Sequence, residues 1–127
     1  MDDLENREIE ALRRRMLGKQ LWVIMSKRVA PLEEVRKHLK AHLEHQIALE
    51  KQGIMYGAGP ATVPGENEPA FGLIIIRASS SDEARQIAER DPMHAAGVRT
   101  YTLYQWSMNE GRLSITLDFS DRSYRLD

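Results

Sequence analysis

Residues 21–25 read Leu21, Trp22, Val23, Ile24 and Met25, five apolar side chains in succession and rich in β-formers. A run this short and this continuous suits a central strand buried on both faces better than a helix. Working outward, Phe71–Arg77 is a second stretch of the same kind, and Ile54–Gly59 reads as a shorter strand. Between the first two of these in chain order, Pro31 stands where a first helical turn tolerates proline. Leu32, Val35, Leu39, Leu43 and Ile47 then follow at helical spacing until Gly53, which predicts one long helix packing one face.

Pro60 to Pro69 has the composition of a loop, with Pro64 and Gly65 as turn formers. Ser80 and Glu83 have the S-x-x-E spacing of a capping box, so a second helix runs from there through Arg90 and closes at Asp91-Pro92. Thr100–Trp106 alternates as a half-buried strand does. Asn109, Glu110 and Gly111 form a turn, after which Leu113, Ile115, Leu117 and Phe119 fall on one face of a further strand. At the other end, Leu4, Ile9, Leu12 and Met16 predict an amphipathic helix over 3–17 that stops at Gly18. The order is a helix, then βαββαβ, then an extra strand. It predicts an α+β fold of ferredoxin-like type, a four-stranded antiparallel sheet with two helices on one face. The opposite sheet face is left bare, and in a short chain a second copy is the economical cover, so a symmetric homodimer is expected. The terminal strand could serve instead.

A chain of 127 residues and 14.6 kDa is the size of one domain: a core over 20–107, with a helical extension over 1–18 and a strand extension over 112–127. Hydrophobic (42%) and charged (29%) fractions are globular, which sets aside disorder and fibrous repeats. A net charge of -1 offers no electrostatic ground for nucleic acid or an anionic membrane. Arg13, Arg14 and Arg15 form a basic run, but cations at a helix C-terminus are suited to the macrodipole, so a solvated helix end explains them. With no Cys, disulfides, thiolate metal sites and a Cys nucleophile are excluded. No apolar run nears the length of a membrane span, and Asp2, Asp3 and Glu5 do not resemble a signal peptide, so a cytoplasmic protein is expected.

Candidate chemistry concentrates in the four histidines: His38, His42 and His45 on the long helix, and His94 shortly after Asp91-Pro92. His42 flanks the apolar stripe of Leu39 and Leu43, so it alone is placed to be partly buried, whereas His45 turns toward solvent. His38 and His42 have a spacing at which two imidazoles can share a metal, yet no third ligand is evident, and no metal or other cofactor is expected. Asp91 breaks a local rule, because a carboxylate at a helix C-terminus meets the negative end of the dipole. Asp-Pro is also a good turn starter, which explains it without function. Two helices side by side on the sheet would let His42 and Asp91 approach, and a carboxylate beside an imidazole fixes its tautomer and favours its charged form.

The ordered set His42-Leu43, Gly53, Ala58-Gly59-Pro60, Ser80 to Ala84, Asp91-Pro92 and Ala95-Ala96-Gly97-Val98 resembles the pattern of the YciI-like (YCII-related) family, from about Leu21 to Trp106. The resemblance implies a dimeric α/β barrel, in which two ferredoxin-like sheets face each other. It also implies a His-Asp active-site pair at His42 and Asp91. Where the family often carries an arginine three residues before the histidine, this chain has Leu39, with Arg36 and Lys40 nearby. By the same resemblance the expected activity is that of a small-molecule enzyme, a lyase, isomerase or dehydrochlorinase, moving a proton on a cyclic or aromatic substrate. Tyr56, Gly59 and Pro60 would line the pocket, with His94 as a second proton carrier. The alternative is a small-ligand-binding or accessory protein without turnover.

Overall fold

The computed structural model describes residues 2–127. In chain order its elements are α1 (Asp3–Arg15), β1 (Lys19–Arg28), α2 (Leu32–Arg36), α3 (Leu39–Lys51), β2 (Met55–Ala61), β3 (Phe71–Ile76), α4 (Ser81–Arg90), α5 (Pro92–Ala95), β4 (Arg99–Met108), β5 (Ile115–Asp118) and β6 (Ser123–Leu126). They form two compact units, one spanning Gln20–Ser107 and one made of the residues up to Lys19 together with Met108–Asp127.

In the larger unit four strands form one antiparallel sheet in the order β2-β3-β1-β4, the ferredoxin-like arrangement expected. The two apolar runs pair in its centre, with Trp22 opposite Ile76 and Ile24 opposite Ile74. Because side chains alternate along a strand, this register gathers Ile24, Ile74 and Ile76 on one face, where Ala84, Ile87 and Ala88 of α4 and Leu49 of α3 close over them. Ile24 and Ile76 are fully buried, and burial of such a side chain contributes about 1.5–3 kcal/mol. The other face carries Val23, Leu73, Ile75, Tyr104 and Trp106 around a shallow apolar depression, the bare surface that the element order predicted.

Ser80 does cap α4, accepting a hydrogen bond from the Glu83 N–H at 3.1 Å, and its hydroxyl is replaceable without touching the core. Ser80→Ala is expected to lower stability by about 1 kcal/mol. Urea unfolding checks this, and an unchanged midpoint would mean that the cap contributes nothing.

Three expectations change. The long helix is two: α2 ends at Arg36 and α3 restarts at Leu39, because His38 leaves helical geometry (φ -108, ψ 2). The restart rotates α3, so the face turned inward is His42, His45 and Leu49, at i, i+3 and i+7, while Leu39, Leu43 and Ile47 are 43%, 50% and 55% exposed. His45 is therefore half-buried rather than solvent-facing. Second, Asp91-Pro92 does not simply end a helix: α5 begins at Pro92. Third, the C-terminal strand is a hairpin, β5 pairing with β6 from Ile115 opposite Leu126 to Asp118 opposite Ser123. Two short strands satisfy each other's backbone there, and Ile115, Leu117 and Phe119 stay exposed. Among the described residues no helix is long and apolar enough to cross a membrane.

Candidate active site

Asp91 lies at the junction where α4 ends and α5 begins. Its backbone N–H closes α4 on the Ala88 carbonyl at 3.2 Å, and its carboxylate caps α5 by accepting the Met93 N–H at 2.9 Å. The dipole conflict seen in the sequence is thus offset: the same carboxylate that meets the end of one helix sits at the favourable start of the next. Met93, packed with Val35 and Val98 in a second apolar cluster, fixes this junction from below.

The inward rotation of α3 brings His42 onto this carboxylate. Nδ1 of His42 lies 2.9 and 2.8 Å from the two Asp91 oxygens, and Asp91 is 3% exposed. Nδ1 faces only a carboxylate, so it carries a hydrogen and donates it. Nε2 makes no hydrogen bond among the described residues and is left as the nitrogen available to another molecule. Burial pushes the Asp91 carboxyl upward, but the hydrogen bond from His42, that from the Met93 N–H and the nearby histidine charges outweigh it, and the net shift is downward. His45 is lowered chiefly by burial, opposed by the Asp91 charge, and belongs to a separate small cavity with Leu49, Ile87 and Arg90.

His42 lines a cavity of about 460 Å³ between α3 and the sheet, lined also by Val35, Leu39, Leu43, Gly59, Pro60, Phe71, Gly72 and Ile74, with Ser26, Gln46 and Arg99 as its other polar groups. Few polar groups in a largely apolar concavity is the common make-up of a small-molecule site. Of the residues singled out in the sequence, His42, Gly59 and Pro60 line it, and Asp91 stands directly behind His42.

His94 and Tyr56 do not line it. Nδ1 of His94 donates to the Ala88 carbonyl at 2.7 Å, its Nε2 meets the Ser26 hydroxyl at 2.8 Å, and its ring packs at a 43° tilt against Tyr101. It therefore reaches the cavity only through Ser26. Tyr56 points to another depression beside Glu50 and lies under the Arg77 guanidinium, 5.1 Å from it, because the register of β2 shifts between Met55 and Gly57. Ser26 and Arg99 were not among the residues that the sequence singled out. The available signal was alternation: Ser26 shares a strand face with Ile24, and Arg99 with Tyr101 and Leu103, so both had to point inward. Among the described residues no group of three or more His, Cys, Asp or Glu side chains is placed to hold a metal ion.

The fold and cavity are those of a compact α+β domain with a His-carboxylate pair at the wall of an apolar pocket. Residues 20–107 match the model of the YCII-related domain, and the chain belongs to that family. Among solved structures it is similar to 5-chloro-2-hydroxyhydroquinone dehydrochlorinase (TftG) from Burkholderia phenoliruptrix in complex with 2,5-dihydroxybenzoquinone. The TM-score is 0.57 and the identity 25%, over 68% of this chain and 92% of the other. No curated protein matches the chain significantly.

Proposed function

We propose that this protein is a cofactor-independent enzyme of small cyclic or aromatic molecules, a lyase, isomerase or dehydrochlorinase, that works by proton transfer at His42. The observation that carries the reading is the short bond from His42 Nδ1 to a buried carboxylate, in a residue that lines a largely apolar cavity. With Nδ1 committed to Asp91, the lone pair of His42 sits on Nε2, which accepts a proton from the substrate. The imidazolium that results is stabilised by Asp91; in an isomerisation it returns the proton to another ring position, and in a dehydrochlorination chloride leaves as the anion and the proton passes to water. Asp91 acts by holding the ring's tautomer and orientation. Similarity to a protein that dehydrochlorinates a hydroxyhydroquinone supports a substrate of this class.

The test is a screen of chlorinated hydroxyquinols with the purified protein, reading chloride release and the absorbance of the quinone product. Turnover in the wild type that disappears in His42→Ala is the expected result. A compound that raises the melting temperature yet is never altered, across the whole series, would replace the enzyme with a ligand-binding protein.

The protein works as a homodimer in this proposal, the sheet face of Val23, Leu73, Ile75, Tyr104 and Trp106 being covered by its copy, since an apolar patch of this kind is seldom left to water. Light scattering after gel filtration is expected to give twice the chain mass, and Ile75→Asp to give one chain mass. A wild-type monomer at micromolar concentration would sink the dimer.

A further inference from the structure

Arg99 is the one charged side chain, histidine apart, in the lining of the cavity that holds His42. Its Nε donates to the Ser26 hydroxyl at 2.8 Å and its Nη2 to the Ser26 carbonyl at 2.8 Å. Two bonds from one guanidinium to a single, buried residue fix the plane of the group. The Ser26 hydroxyl, having accepted from Arg99, has its own hydrogen to give to His94 Nε2, so the fork is held from behind by a second fixed residue. Gly72 leaves the space beside it open, since a Cβ there would stand 3.7 Å from Nη2.

Among the described residues no carboxylate forms an ion pair with Arg99. Asp91, the nearest acid by its electrostatic effect, is engaged by His42 and Met93, and Glu68, across the adjoining depression, is paired with Arg28 at 3.3 Å. Burial pulls the guanidinium down from its ordinary value, with the Asp91 charge opposing and the Arg28 charge adding to the effect. A partly buried charge is normally paired, and here the two protein bonds leave three of its five N–H groups unassigned.

We infer that Arg99 is the anion-holding residue of this cavity and that its ligands are small planar rings bearing an ionised oxygen substituent, a carboxylate or an acidic ring hydroxyl. The ring lies against Leu39, Leu43 and Phe71, the anionic oxygen accepts from the Arg99 N–H groups, and the rest of the ring is presented to His42. Two parallel N–H bonds to such an anion give both strength and orientation. This assignment rests on the cavity being the substrate site proposed above.

Calorimetry with three probes at neutral pH tests it: benzoate, its neutral isostere benzamide, and 2,5-dihydroxybenzoquinone, an acidic ring hydroxyl ionised at that pH. At least one anion is expected to bind roughly 10- to 100-fold more tightly than benzamide, as charge-assisted bonds allow. Which anion binds decides between carboxylate and ring oxygen. In Arg99→Met that preference is expected to vanish, and Arg99→Lys, which keeps the charge without the fork, to restore part of it. Equal binding of benzamide and both anions by the wild type overturns the inference, as does an anion preference that survives in Arg99→Met. Should Arg99→Met not fold, the wild-type preference and its fall in Arg99→Lys carry the same decision. His42→Ala separates the two proposals: it keeps the guanidinium, so anion preference persists there even if the screen finds no turnover anywhere.

Discussion

Replacing His42 with alanine is expected to lower turnover of whatever substrate the screen delivers by ~10²–10⁴-fold, the usual range for a positioned acid–base group. Substrate affinity should change little, because the ring contributes one edge of a cavity whose apolar walls and Arg99 remain. The effect should appear in kcat, since the proton transfer is made in the transition state and not in the bound ground state. Added imidazole, small enough for the space left, is expected to return part of the lost rate in proportion to its unprotonated fraction. A variant that keeps kcat within threefold of wild type would take His42 out of the chemistry and leave Asp91 a purely structural carboxylate.

What was legible in the sequence and what was not divides along physical lines. Leu21 to Met25 and Phe71 to Ile76 announced themselves because a central strand is apolar on both faces, and that is a property of composition alone. Ser80 and Glu83 were equally plain, the cap being local. The break at Lys37–His38 carried no proline or glycine, so nothing in the local chain marked it. The apolar stripe Leu39, Leu43 and Ile47 then looked like the buried face, although tertiary packing turned the histidine face inward instead. That is why the pattern places His42 correctly and not His45: one lies at the edge of the expected stripe, the other about 60° further round the helix. Tyr56 failed for a related reason, since a strand irregularity inverts alternation and pattern alone does not show it. Asp91 was suspect on dipole grounds, yet the four-residue helix that explains it lies below the length at which periodicity can be read.

Removing the Asp91 carboxylate is expected to cost the fold as well as the activity. In Asp91→Ala the Met93 N–H and His42 Nδ1–H both lose their acceptor inside the domain, and each unsatisfied buried donor costs about 1–3 kcal/mol, so a loss of roughly 2–6 kcal/mol results. Asp91→Asn retains the shape and one acceptor oxygen; it should lose about half as much stability but nearly all of the rate enhancement that His42 provides, because a neutral amide no longer stabilises the imidazolium. The two variants therefore separate capping from catalysis. The pH dependence is set by the direction of the shift. The Asp91 carboxyl is held below its ordinary value in the folded protein, burial being outweighed by the bonds from His42 and Met93, so between the folded and the unfolded pKa the unfolded chain binds more protons. Stability from this group is therefore complete above the ordinary carboxyl pKa of about 3.9 and is lost as pH falls through the lower, folded value. Urea unfolding of wild type and Asp91→Asn from pH 7 to pH 3 is expected to show a gap that is constant near neutrality and narrows below about pH 4. A gap that stays the same down to pH 3 would mean that the carboxylate charge does not stabilise the fold, and that the His42–Asp91 contact contributes as a neutral hydrogen bond only.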